Sequence, residues 1–106
     1  MVKVVFVVHK RADLDREAFA RYWHEVHAPI AAKIPGLRKY TINPARSGPS
    51  GELPPFDGVA ELYFDSPEAS EAGFASPQGQ AAFTDAANFL NVERLRSVVA
   101  DEITIV

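Results

Sequence analysis

The sequence predicts an α+β domain with the element order β-α-β-β-α-β, a four-stranded antiparallel sheet and helices on one face. Three observations carry this. Short runs of β-branched and aromatic residues recur at 2–8, 37–42, 59–64 and 97–106. Between the first two and the last two lie segments with helix caps and apolar periodicity. The chain has 106 residues, so residues 1–106 make one domain, long enough for a single core.

VKVVFVV, residues 2 to 8, is nearly unbroken in apolar character, as a strand buried on both faces would be. Asp13 or Asp15 can cap a helix beginning near Arg16, with Leu14 stapling onto its first turn. At about 100° per residue, Phe19, Tyr22, Trp23, Val26 and Ile30 fall on one stripe, and Arg16, Glu17, Arg21 and Glu25 lie beside or opposite it. Pro29 disfavours helical geometry at Ala28, so a break or kink is expected there, with a further helical turn through Ala31 to Lys33. Pro35-Gly36 then punctuates the chain before LRKYTI, residues 37 to 42, the second strand.

Residues 43–58 are rich in proline and glycine and long for a connection, which suggests a functional flap or a partly disordered loop. VAELYF, residues 59 to 64, is the third strand. Ser66-Pro67 and Ser76-Pro77 each pair an N-cap with a first-turn proline, predicting helices near 67–74 and 77–90. In the second, Ala82, Phe83, Ala86, Ala87 and Leu90 share a side. SVVADEITIV, residues 97 to 106, supplies the fourth strand. Right-handed crossovers then give a ferredoxin-like split βαβ sheet.

Two helices cover one face of such a sheet. The first strand is apolar on both faces, Val4, Phe6 and Val8 on one and Val5 and Val7 on the other. The last offers Val99, Ile103 and Ile105 opposite Val98, Ala100 and Val106, so whichever face the helices leave still presents aliphatic side chains. Leaving these wet costs about 25 cal/mol per Å² of apolar surface, and the economical cover is a second copy. A homodimer packed sheet to sheet is therefore expected.

Composition excludes several classes. Net charge is −3 with no basic block, so nucleic acid is not expected as a partner. There is no cysteine, hence no disulfide framework and no thiol nucleophile. The apolar run at the N-terminus is too short for a signal-peptide core or a membrane span, so no membrane contact and a cytoplasmic location are expected. Gly-rich phosphate loops and Ser-His-Asp spacing are both lacking.

YWHEVHAPIA, residues 22 to 31, concentrates the reactive groups. His24 and His27 are three apart, not four as in the zincin motif, and no third ligand is evident, so no metal site is assigned. His24 reads as a surface histidine. His27 has two readings. It caps the helix C-terminus, where the dipole favours imidazolium, or it moves protons at the mouth of a pocket roofed by Trp23 and Tyr22, a role its ordinary pKa near 6.5 suits.

The segment EAFARYWHEVHAPIAAKIPGLRKY, residues 17 to 40, resembles the signature of the EthD family, within the dimeric α/β-barrel superfamily. The pattern is F-x-x-Y-W-x-x-x-H-x-P, here Phe19, Tyr22, Trp23, His27 and Pro29, followed by Pro35-Gly36 and the strand tyrosine Tyr40. The resemblance implies a homodimeric α/β barrel with a pocket in each subunit, lined by sheet and helix. Related members include methylmuconolactone isomerases, in which the histidine matching His27 and the tyrosine matching Tyr40 belong to the active site. Others are linked to ether degradation or to cyclising and dehydrating aromatic polyketides. His27 is thereby implied as acid/base and Tyr40 as its hydroxyl partner. No histidine or cysteine follows His27, so a relative's further catalytic group of that kind has no match.

Among other candidates, Tyr22 and Trp23 could stack on a substrate ring, while Phe6 and Tyr63 read as pocket wall or core. His9 ends the first strand and could point into the pocket or face solvent. Glu61 shares a strand face with Val59 and Tyr63 and reads as an ion-pair partner at the dimer interface before it reads as a site acid. The expected function is a small cofactor-independent lyase or isomerase moving a proton on an aromatic, lactone or polyketide-like metabolite. The alternatives are a non-catalytic dimeric small-ligand-binding or accessory protein of an oxygenase system and, below that, a cofactorless monooxygenase.

Overall fold

The computed structural model describes all 106 residues. Four strands, β1 (Val2–Val8), β2 (Lys39–Pro44), β3 (Gly58–Phe64) and β4 (Arg96–Asp101), form one sheet in the order β2-β3-β1-β4 with every neighbour antiparallel. The helical segments are α1 (Arg16–Tyr22), a π-turn (Trp23–His27), α2 (Ala28–Ala31), α3 (Pro67–Ala75), α4 (Pro77–Ala86) and a short 3-10 turn (Val92–Arg94). This is the ferredoxin-like α+β arrangement that the element order predicts.

The register sorts the strand residues by face. Val4 opposes Leu62 and Phe6 opposes Ala60, so even-numbered residues of β1 and β3 look toward the helices. Val2, Val4, Val8, Ala60, Leu62 and Phe64 are buried there with Phe19, Trp23, Phe89 and Leu90. Odd-numbered residues of the same strands form the helix-free face. Its one well-covered side chain, Tyr63, lies between Lys3 and Lys39, its direct partners across the sheet.

Caps set the helix starts. The Asp15 carboxylate accepts from the Ala18 N–H at 2.7 Å, and Ser66 and Ser76 accept from Ala69 and Gly79, each at 3.1 Å. The connection between β2 and β3 is tied down: Asp57 accepts from the Lys10 N–H at 2.8 Å, and Arg16 donates to Ser47 at 3.0 Å and to the Ala45 carbonyl.

Four expectations need correction. The helix does not break at Pro29. The turn before it widens instead, with the Ala28 N–H bonding the Trp23 carbonyl, and α2 continues to Ala31. A proline has no N–H for a carbonyl one turn back and crowds that carbonyl; the wider turn lets the helix pass. His27 therefore lies inside the helical run and is not a C-terminal cap. Val26 leaves the buried stripe and is exposed. Finally β4 stops at Asp101, which pairs with Val2 at the start of β1. Residues 102–106 thus have no strand to pair with, and Ile103, Ile105 and Val106 are exposed.

Candidate functional site

An α-helix advances about 100° per residue, so a residue four further on overshoots the stripe by about 40°. A π-turn holds an extra residue and undershoots instead. With the π-turn at 23–27, Phe19, Trp23, His27 and Ala31 stay on one line and face the sheet. This is why His27, not Val26, turns inward. Its side chain is only 12 % exposed.

His27 Nδ1 lies 2.8 Å from Oδ2 of Asp85, on α4. The other carboxylate oxygen accepts from the Tyr22 hydroxyl at 2.7 Å and from the Asn88 amide at 3.1 Å. Burial by itself would push the Asp85 carboxyl up. The hydrogen bonds from Tyr22, His27 and Asn88 outweigh it and hold the carboxyl below its ordinary value. Asp85 is therefore an ionised acceptor at neutral pH, so Nδ1 carries the proton and Nε2 is left for other partners. Phe89 packs against the imidazole with ring centroids 4.7 Å apart and the planes tilted by 47°.

His27 and Tyr40 both line one cavity of ≈ 60 Å³ between helices and sheet. Trp23 and Phe6 line it too, and Phe74 and Phe83 stand together in its wall at 5.6 Å. Burial pushes the Tyr40 hydroxyl up to about 12, with the Trp23 indole pulling the other way. Tyr40 is thus a neutral hydroxyl that can donate.

Of the sequence candidates, His27, Tyr40, Trp23 and Phe6 come together around the cavity, and Tyr22, His9 and Tyr63 do not line it. Tyr22 contributes through Asp85, since its hydroxyl is spent on that carboxylate. The backbone carbonyl of His9 accepts from the Asn91 N–H. Tyr63 lies on the opposite face, donating to Glu102 at 2.9 Å. There Lys3 bridges Glu61 at 2.7 Å and Glu102 at 3.2 Å, so Glu61 finds its ion-pair partner within its own chain.

Asp85 and Asn88 were not among the candidates. The signal was available: Asp85 stands three residues after buried Ala82 and four before buried Phe89, a carboxylate on the apolar flank of a helix.

The fold and this cavity define a class of small ferredoxin-like domains with an apolar pocket between helices and sheet. The EthD domain family matches residues 11–93, and the chain belongs to that family. An uncharacterised 11.0 kDa protein from the thcB–thcC intergenic region of Rhodococcus erythropolis is 34% identical over 89 residues, 84% of each chain. The crystal structure of an EthD-family protein from Bacillus halodurans superposes with a TM-score of 0.82 at 29% identity, covering 97% of this chain and 99% of that one. A dimeric protein of unknown function from Bacteroides fragilis, also of ferredoxin-like fold, superposes with a TM-score of 0.70 at 19% identity over 95% of each chain.

Proposed function

We propose that the chain is a small cofactor-independent lyase or isomerase that moves a proton on an oxygenated aromatic, lactone or polyketide-like molecule. One observation carries this reading: His27, tied through Nδ1 to the Asp85 carboxylate, lines the same apolar cavity as the neutral Tyr40 hydroxyl. In this mechanism Nε2 takes a proton from carbon or oxygen of the substrate. Asp85 stabilises the imidazolium as it forms, and Tyr40 donates to the carbonyl oxygen as charge develops there. The proton returns from Nε2 to a second position, and the two groups end as they began. Proton transfer of this kind asks for nothing that these side chains do not carry.

The assembly proposed with it is a homodimer. The helix-free face leaves Val5, Val7 and Val59 partly open and Val98 58 % exposed, and the Bacteroides fragilis neighbour is described as dimeric. The almost wholly apolar lining also supports a second reading, a carrier that binds a ligand without changing it.

His27→Ala, with the exposed His24→Ala as control, separates the two against a panel of lactones and polyketide-like phenols. The enzyme reading expects turnover by wild type and by His24→Ala, and a loss of about 10²-fold or more in His27→Ala. Saturable binding without turnover by any of the three supports the carrier.

A further inference from the structure

Resting on the proposed site at His27, we infer that the cavity selects uncharged, largely apolar ligands bearing one carbonyl or hydroxyl oxygen, and rejects carboxylates. The polar atoms of its wall are few. They are the His27 imidazole, the Tyr40 hydroxyl and the Trp23 indole N–H; every other lining side chain is aliphatic or phenyl, and no lysine or arginine reaches it. A carboxylate entering would be stripped of water with no cation to meet it.

Protonating His27 does not repair this. The imidazolium would already face Asp85 at 2.8 Å, so the pair as a whole stays neutral. With His27 unprotonated, the buried Asp85 charge repels an anion. Asp85 in turn offers little to a cation, because its oxygens already serve Tyr22, Asn88 and His27. A neutral carbonyl or phenol instead finds one donor at Tyr40 and one donor or acceptor at His27, and leaves its apolar body against phenyl rings.

Size adds a condition. A cavity of ≈ 60 Å³ is smaller than the roughly 150 Å³ that accommodates benzene in an engineered protein core. A ring held wholly inside must displace part of the wall, and Phe83, 45 % exposed, is the solvent-exposed phenyl ring of that wall. Phe83 therefore acts as the size filter and the missing cation as the charge filter.

The test is a matched pair of probes, acetophenone and benzoate, titrated at neutral pH against wild type and Phe83→Ala. The chain's single tryptophan, Trp23, lines the cavity, so its fluorescence reports occupancy without any turnover. Acetophenone should saturate the signal at least about tenfold more tightly than benzoate in both proteins, and more tightly in Phe83→Ala than in wild type. Tyr40→Phe should weaken acetophenone and leave benzoate where it was. Equal binding of the two probes overturns the charge filter, and no binding of either probe to either protein overturns the cavity as a ligand site. Neither result depends on whether His27→Ala abolishes turnover, so selectivity and catalysis can fail separately.

Discussion

Asp85 holds three donors at once, from Tyr22, Asn88 and His27. An amide in its place turns an NH₂ group toward at least one of them. Asp85→Asn should cost about 1–3 kcal/mol in thermal or denaturant unfolding. On the proposed lyase or isomerase reading, Asp85, which bonds His27 and does not line the cavity, is a positioning residue. Its loss should lower kcat and shift the pH–rate profile while leaving KM near wild type. An unchanged profile would reduce Asp85 to a structural role. The acid side follows from linkage. A carboxyl whose folded value is depressed contributes stability above its unfolded value, about 3.9, and loses it as pH falls through the lower folded value. A melting-temperature series below pH 5 should show that limb flattened in Asp85→Asn.

The three tyrosines make a second residue-scale prediction. Tyr22 is raised by donating to Asp85 and by burial, Tyr63 by donating to Glu102 and by burial, and Tyr40 by burial to about 12. Raised hydroxyls stay protonated in the folded state after the unfolded chain has begun to ionise near 10, so stability falls between about pH 10 and 12. An ultraviolet titration of the folded protein should show no phenolate near the ordinary value. A single tyrosine ionising at 10 would contradict the packing at that site.

At the scale of elements, the helical run from Arg16 to Ala31 and strand β3 meet where Gly58 faces Trp23. A Cβ on Gly58 would overlap the indole ring and stand 2.9 Å from the Asn43 carbonyl oxygen. Gly58→Ala should therefore destabilise by about 1–3 kcal/mol through overpacking and shift the fluorescence of Trp23. An emission spectrum and a melt that match wild type would mean that the two elements do not meet as described. The π-turn belongs to this scale too. It was not legible from the sequence, because 100° periodicity assumes an unbroken α-helix and so places Val26 inward and His27 beside the stripe. Proline at 29 marked a disturbance, and only packing against Phe89 and the sheet shows that the turn widened instead of breaking. Caps, by contrast, could be read directly. Asp15, Ser66 and Ser76 bond backbone groups within their own first turns, and such contacts span three residues.

For the whole molecule, the proposed homodimer places the helix-free faces together. Light scattering at micromolar concentration should give twice the chain mass. Val98→Glu puts a carboxylate on that face, one strand across Val5 from Glu61. It should yield a monomer with unchanged circular dichroism, since Val98 is exposed in the single chain. A folded wild-type monomer at that concentration would refute the assembly.

The sequence by itself determined the element order and the alternation along the strands, and it nominated residues that could move protons, because periodicity, caps and residue chemistry are local. It also placed Tyr40 and His27 as a pair, through the resemblance over residues 17 to 40. The tertiary structure decided which groups meet. Asp85 is 58 residues from His27, and Tyr22 turned out to serve that carboxylate instead of lining the cavity. Contacts at that separation depend on how α4 docks against the π-turn, which is fixed by packing summed over the whole core and by no short stretch of the chain.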